Sequence, residues 1–249
     1  MQEKRITVQD VKQNEKLAVL IDAANRMLEV IGYTEHGPRH VGFVSHTARS
    51  ILEQLHYPER MCELAAIAGW VHDVGNAVNR VYHGITGGAL LFPILQEMGM
   101  PMDEVVTIVG AVGNHEEQNG KVVSAVSAAL IIADKSDAHR TRVRRASYNP
   151  DDIHDRVNFA IAQNAVEVDP VRRIIRFALS MDESSSVMDF MEIYLTRMQM
   201  CEEAANFLGC RFELVVNGVN INRTRQDAPP GALGERRWAT PFPWARRTP

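Results

Sequence analysis

Leu64-Ala65-Ala66-Ile67-Ala68-Gly69-Trp70-Val71-His72-Asp73-Val74-Gly75 is the stretch whose reading decides the fold. Leu64, Ile67, Ala68 and Val71 recur at intervals of three and four, the spacing of one buried helical stripe, and Pro58 upstream offers a start. Gly75 ends the run, so His72 and Asp73 fall at the C-terminal end of the helix. Neighbours in mid-helix point about 100° apart and seldom serve one site. Where the chain leaves the helix axis, both side chains can turn toward one point.

The same reading extends in both directions. Leu17, Leu20, Ile21, Ala24, Leu28 and Ile31 predict one amphipathic helix from Val11 to Ile31, stopped by Gly32. A polar turn with Gly37-Pro38 leads to a second helix from about His40 to His56, with Val44, Ile51 and Leu55 on one face. After Gly75, His83 heads the stripe Thr86, Gly87, Leu90, Leu91, Ile94. Pro101 opens a fifth helix in which Val105, Ile108, Val109 and Val112 lead to His115. Gly120 breaks the chain, and a sixth helix carries Val123, Val126, Leu130 and Ile131 with Asp134 one turn further on the same face. In order, then, His40, His72-Asp73, His83, His115 and Asp134 each lie on or beside a buried stripe. Imidazole and carboxylate donors serve metal ions in hydrolytic sites. The pattern predicts a metal centre inside a helical bundle.

The character changes near Tyr148-Asn149-Pro150. Arg156 to Val168 and Val171 to Leu179 read as strands around a turn at Asp169-Pro170. A helix from about Ser186 to Leu208 follows, with Met188, Met191, Tyr194, Leu195, Met198 and Cys201 at packing positions, and then a strand over Arg211 to Val216. The expected organisation is mainly α: a helical metal-binding domain over 1–148, a small β-β-α-β subdomain over 149–224 packed on it, and a disordered tail over 225–249. The subdomain is the expected seat of homodimerisation. Composition is ordinary for a soluble globular protein, 45% hydrophobic and 23% charged, and a net charge of −4 gives no basic field to recruit long nucleic acid or a membrane. Three cysteines, Cys62, Cys201 and Cys210, lie in apolar surroundings and read as reduced core thiols. The polar N-terminus and the lack of an apolar run of roughly 18 residues make a cytoplasmic protein the expectation.

The order of donors resembles the HD superfamily of metal-dependent phosphohydrolases over about Arg39 to Arg145. The matching pieces are Arg39-His40-Val41-Gly42-Phe43-Val44, Trp70-Val71-His72-Asp73-Val74-Gly75, His83-Gly84-Ile85-Thr86-Gly87, Asn114-His115-Glu116-Glu117-Gln118-Asn119-Gly120 and Ala133-Asp134-Lys135-Ser136-Asp137-Ala138. The resemblance implies an HD-type helical bundle with His40, His72, Asp73 and Asp134 on one ion. It also implies Asp73, His83 and His115 on a second, with Asp73 as the bridge. It is similar in part to the cyclic-dinucleotide-cleaving branch known as HD-GYP, through His115-Glu116 and Asn119-Gly120. That branch's Gly-Tyr-Pro is absent, since Lys121-Val122-Val123 stands in its place. Iron or manganese is the metal implied, with zinc and cobalt also suited to the donors.

Two divalent ions against two carboxylates leave a centre of roughly +2, suited to a phosphate group. The expected substrate is therefore a small phosphate ester or nucleotide, attacked by an activated water. Asp73 and Lys135 are the expected catalytic residues, Lys135 or a water protonating the leaving oxygen. Asn76, Glu116, His139 and Arg142 are the candidates for substrate binding, with Lys135, His139 and Arg142 sharing a helical face beside Asp134. Arg140, Arg144 and Arg145 fit equally a solvated face with Asp137 as partner. His36, His46, His56, His139 and His154 read first as satisfied structural histidines, although His46, six residues after His40, could replace it. Two rivals stand beside the hydrolase. Some HD-type members with the same six ligands are diiron oxygenases, as myo-inositol oxygenase is. A non-catalytic nucleotide-binding sensor would use the site for binding alone.

Overall fold

The structure is a computed structural model that describes residues 5–144, 146 and 148–222. The expected tail over 225–249 lies outside the described residues. Helices come first: α1 (Val8–Lys12), α2 (Glu15–Val30), α3 (Pro38–Gln54), α4 (Glu59–Val71), α5 (His83–Glu97), α6 (Met102–Gly113) and α7 (Ala125–Lys135). Short 3₁₀ turns cover Val74–Ala77 and Arg140–Arg142. The C-terminal part holds α8 (Ile153–Ala160), β1 (Ile161–Asp169), β2 (Ile174–Met181), α9 (Val187–Phe207), β3 (Arg211–Val216) and β4 (Val219–Asn220). The molecule is thus mainly helical with a small four-stranded sheet at its C-terminal end.

Helix α4 sits at the centre of the bundle, packed against α3, α6 and α7. Ala65, Ile67, Ala68 and Val71 are wholly buried, so the stripe read from the sequence is its inner face. The α3–α4 crossing is set by Gly69: a Cβ there would lie 2.7 Å from the Ser45 Cα and 2.9 Å from the Val44 carbonyl carbon, both backbone atoms of α3. Ser45 completes the approach by donating its Oγ–H to the Ala66 carbonyl at 2.8 Å. Since α3 carries His40 and α4 ends in His72, this spacing fixes how far apart the two imidazoles can be.

The sheet runs β1-β2-β3-β4, with β1–β2 and β3–β4 antiparallel and β2–β3 parallel. A parallel pair needs a crossover, which α9 supplies. Ile175, Phe177 and Leu179 of β2 stand in register with Phe212, Leu214 and Val216 of β3, and all six are buried. Helix α9 packs on these two strands and also on α7, so bundle and sheet share one continuous hydrophobic core.

Several expectations are corrected. The single helix over Val11 to Ile31 is two, because Asn14 caps α2 by accepting the Leu17 N–H at 3.1 Å. The sixth helix starts at Ala125 and not near Val123, because Ser124 caps it by accepting the Ser127 N–H. The strand expected from Arg156 starts at Ile161. Asp152 caps α8 by accepting the His154 N–H, and Ile153, Val157 and Ala160 then recur at helical spacing. Likewise β2 starts at Ile174, because Asp169 accepts the N–H of Val171 and Arg172 and uses them for the turn. The fourth strand, β4, was not foreseen. Among the described residues no helix is long and apolar enough to cross a membrane.

Replacing Gly69 with alanine is expected to destabilise the fold by about 1–3 kcal/mol, because backbone must move to admit the methyl group. Gly110, where an added Cβ meets nothing within 4 Å, is the control, and Gly110→Ala is expected to be neutral or stabilising by about 0.5–1 kcal/mol. Urea denaturation of both variants measures the difference, and equal effects would refute the close α3–α4 crossing.

Candidate metal centre

All six donors read from the sequence come together in the interior. His40 lies in the first turn of α3, His72 caps the C-terminus of α4, and Asp73 follows as the chain bends into the 3₁₀ turn Val74–Ala77. His83 begins α5, His115 lies two residues past α6, and Asp134 sits in the last turn of α7. The bend after Asp73 depends on Gly75, where a Cβ would stand 1.9 Å from the His83 carbonyl oxygen. His40, His72, Asp73, His83 and His115 are buried, and Asp134 is nearly so.

The imidazoles form two pairs. His40 Nε2 and His72 Nε2 are 3.2 Å apart, and His83 Nε2 and His115 Nε2 are 3.0 Å apart. Asp73 stands between them with its carboxylate divided. Its Oδ2 lies 3.6 and 3.4 Å from the Nε2 atoms of His40 and His72. Its Oδ1 lies 3.3 and 3.9 Å from those of His83 and His115. Asp134 joins the first pair, its Oδ1 being 3.5 Å from His40 Nε2 and 3.6 Å from His72 Nε2.

The opposite edge of each ring explains which nitrogen faces inward. The Nδ1 of His72, His115 and His83 meets the backbone carbonyl of Gly69, Val112 and Arg80 at 2.9, 2.6 and 3.0 Å. A carbonyl only accepts, so these Nδ1 atoms carry the proton and donate it. His40 Nδ1 donates to the Asp137 carboxylate at 2.6 Å. In a neutral imidazole with its proton on Nδ1, Nε2 holds a lone pair. With no proton on Nε2, the four rings turn four such lone pairs toward the two carboxylates.

Donors so placed fit a cation. The ligand atoms of His40, His72 and Asp134 lie within 4.8 Å of one another, as do those of His72, Asp73 and His115. Asp73 Oδ2 is buried with no hydrogen-bond partner, a costly state for a carboxylate oxygen unless a positive charge faces it. Burial works against charge on His72, yet Asp73 and Asp134 prevail and hold its pKa up to about 10. Burial likewise opposes ionisation of Asp73 and Asp134, but their cationic neighbours, His72 first for Asp73 and Lys135 first for Asp134, keep both well below the usual carboxylate range. The interior therefore favours positive charge at the point where the Nε2 atoms meet.

A ring of supporting side chains surrounds the donors. Asp137 binds His40 Nδ1 and also accepts from Arg39 Nη2 at 2.6 Å, while Arg142 Nε lies 3.6 Å away. Asn76 donates from Nδ2 to Asp73 Oδ1 at 2.9 Å. Glu116 accepts the Gly84 N–H at 2.6 Å and places its other oxygen 3.2 Å from His83 Nδ1. Lys135 Nζ reaches Asp134 Oδ2 at 2.7 Å and Glu117 Oε1 at 3.3 Å, and Arg197 of α9 donates to the same Glu117 oxygen at 3.1 Å. A cleft of about 700 Å³ opens onto Asp73, His83 and Asp134.

The candidates for substrate binding fare differently. Glu116 lines the cleft, as does Lys135, the residue expected to be catalytic. Asn76 is buried and turned onto Asp73, so it holds the carboxylate in place. The helical face expected to align Lys135, His139 and Arg142 does not form, because α7 ends at Lys135. His139 instead binds Thr141 through Nδ1 and donates from Nε2 to the Ala162 carbonyl at 2.9 Å, away from the donors. Arg142 borders the cleft, but its guanidinium is spent on the carbonyls of Glu35 and Asp137. His46 is exposed, so it does not replace His40.

The sequence reading gave Arg80, Glu117 and Arg197 no part in the site and took His36 as a structural histidine. It took Asp137 as partner of a solvated arginine face, whereas Asp137 binds His40 and Arg39, and Arg140 pairs with Asp182. His36 extends a row of imidazoles, His36–His40–His72–His115–His83, whose successive centroids are 5.2, 5.1, 5.1 and 4.9 Å apart. The one available signal was Asp137, an acidic residue three positions after Asp134.

Removing Asp137 is expected to weaken metal binding about 10- to 100-fold, as loss of a carboxylate that orients a ligand imidazole does. Competition with a chromogenic chelator would read this in Asp137→Ala, with His139→Ala as the variant expected to match wild type. Equal affinities in all three proteins would refute the orienting role. A pH dependence also follows. The raised pKa of His72 contributes stability that is complete below its ordinary value of 6.5 and is lost as pH rises through about 10. Thermal melts of chelator-treated protein should therefore fall across that window, and a flat profile would contradict the ion pairing.

No family model matches the chain, and a search of curated proteins finds no match to it.

Proposed function

We propose that this chain is a metal-dependent phosphohydrolase with a dinuclear centre, acting on a small phosphate ester or nucleotide. The observation that carries the reading is the divided carboxylate of Asp73, with one oxygen toward His40, His72 and Asp134 and the other toward His83 and His115. An imidazole nitrogen serves one ion, whereas a carboxylate can serve two. His40, His72, Asp73 and Asp134 would hold one cation, and Asp73, His83 and His115 the other. When bound, such a pair supplies Lewis-acid activation of water and neutralises charge gathering on phosphorus.

The protein's own groups account for the rest. Asn76 and Asp137 fix the Asp73 carboxylate and the His40 ring, so the donors need little rearrangement. Burial opposes protonation of Lys135, but Asp134 and Glu117 outweigh it and raise its pKa. Its Nζ therefore carries a proton at neutral pH, inside the cleft, where it can protonate a departing alkoxide. Glu117, itself held by Arg197, pairs with that ammonium. The cleft of about 700 Å³ leaves room for a small phosphorylated molecule beside the donors.

The same four imidazoles and two carboxylates also suit a pair of irons that reacts with oxygen, so the test must separate the two chemistries. Protein purified without chelator is analysed for metal, then screened for phosphate release from mono- and dinucleotides and simple phosphate esters with added manganese. The hydrolase reading expects release that falls to background in Asp73→Ala. It also expects kcat to drop about 10²-fold or more in Lys135→Met with the metal content unchanged. Two irons per chain, oxygen uptake and no phosphate release in any metal would replace it with the oxygenase. Nucleotide binding without turnover would replace it with a sensor.

A further inference from the structure

Four cationic side chains line the cleft: Arg80, Lys135, Arg142 and Arg197. Three are already committed. Lys135 is paired with Asp134 and Glu117, Arg197 with Glu117, and Arg142 with backbone carbonyls. Arg80 differs. Its guanidinium lies 5.1 Å over the centre of the Tyr33 ring, its Nη1 is 3.4 Å from Asn76 Oδ1, and no carboxylate of the described residues pairs with it. Its Nε and Nη2 meet no acceptor among the described residues.

The same residue touches the donors. The Arg80 carbonyl accepts the His83 Nδ1 proton at 3.0 Å, and its Nη1 stands 3.3 Å from His83 Nε2, the atom that faces Asp73. A half-buried guanidinium beside the His83 imidazole and without a counter-charge is unfavourable unless an anion completes the site. The Tyr33 face attracts the guanidinium charge, and the Nε–Nη2 edge, which meets no acceptor among the described residues, offers a planar fork.

We propose that Arg80 grips the tetrahedral phosphoryl group of the substrate at the His83–His115 half of the centre, through two parallel charge-assisted hydrogen bonds. The assignment rests on the phosphohydrolase reading and names the residue that recognises the substrate's anion. It makes the segment between the His72-Asp73 pair and α5 a substrate-binding loop, with Asn76 fixing the carboxylate and Arg80 the phosphate.

Inorganic phosphate, which carries the tetrahedral anionic group shared by the proposed phosphate-ester substrates, is the probe. It is titrated calorimetrically into the full chain loaded with manganese, for wild type, Arg80→Met and Arg80→Lys, with the metal content of each measured alongside. Arg80→Met is expected to keep the wild-type ion count and to bind phosphate about 10- to 100-fold more weakly. Arg80→Lys should recover part of that loss, since an ammonium supplies charge without the fork. Tight phosphate binding that is equal in wild type and Arg80→Met would overturn the Arg80 assignment and leave the hydrolase reading standing. Parallel loss of metal in Arg80→Met would also overturn it, because Arg80 would then be a prop for His83. A metal-loaded wild-type chain that binds no phosphate would overturn both.

Discussion

The carboxylate of Asp73 is the constraint on which the rest of this structure depends. It is buried, its two oxygens face two different imidazole pairs, and one of those oxygens has no hydrogen-bond partner. Burying an ionised carboxylate without a partner costs several kcal/mol, so the fold is committed to positive charge at that point. Five separate helix ends or flanks converge to supply the surrounding donors: the start of α3, the end of α4, the start of α5, the exit of α6 and the end of α7. Two glycines, Gly69 and Gly75, permit the backbone approaches that bring those ends together. Packing at the centre of the bundle and chemistry at its interior are in this sense one design.

The arrangement also gives the C-terminal part a role beyond packing. Helix α9 lies between the sheet and α7, and it delivers Tyr194 and Arg197 to the cleft. Arg197 reaches the donors through Glu117 and Lys135, a line of alternating charges that ends on Asp134. The helical half therefore does not complete the cleft by itself. The sheet buries the outer face of α9 and so keeps Arg197 where that line of charges needs it.

Much of this was legible in the chain. The stripe Leu64, Ile67, Ala68, Val71 predicted α4, and the six donors stood out because each followed or opened a helical pattern. Helix α9 and strand β3 were equally clear, the first from its spacing and its Ser186 start, the second from an apolar–polar alternation. What stayed hidden depended on local capping or on long-range contact. Asn14, Ser124 and Asp152 move helix boundaries through single side-chain hydrogen bonds that periodicity does not register. Lys135, His139 and Arg142 looked aligned only on the assumption that α7 continued past its actual end. Arg80 and Arg197 had no local mark at all: each matters through residues 47 and 80 positions away, Tyr33 and Glu117. Asp137 was visible as an acidic residue near Asp134, but its role appears only when the chain just past α7 is seen against His40 and Arg39 of α3.

The central claim is that one carboxylate divides the donors into two cation sites. Anomalous X-ray diffraction from crystals grown with manganese tests it most directly. Two peaks flanking Asp73, about 3.5–4 Å apart, are the predicted result. One peak on the His40–His72 side, or none, would contradict the account.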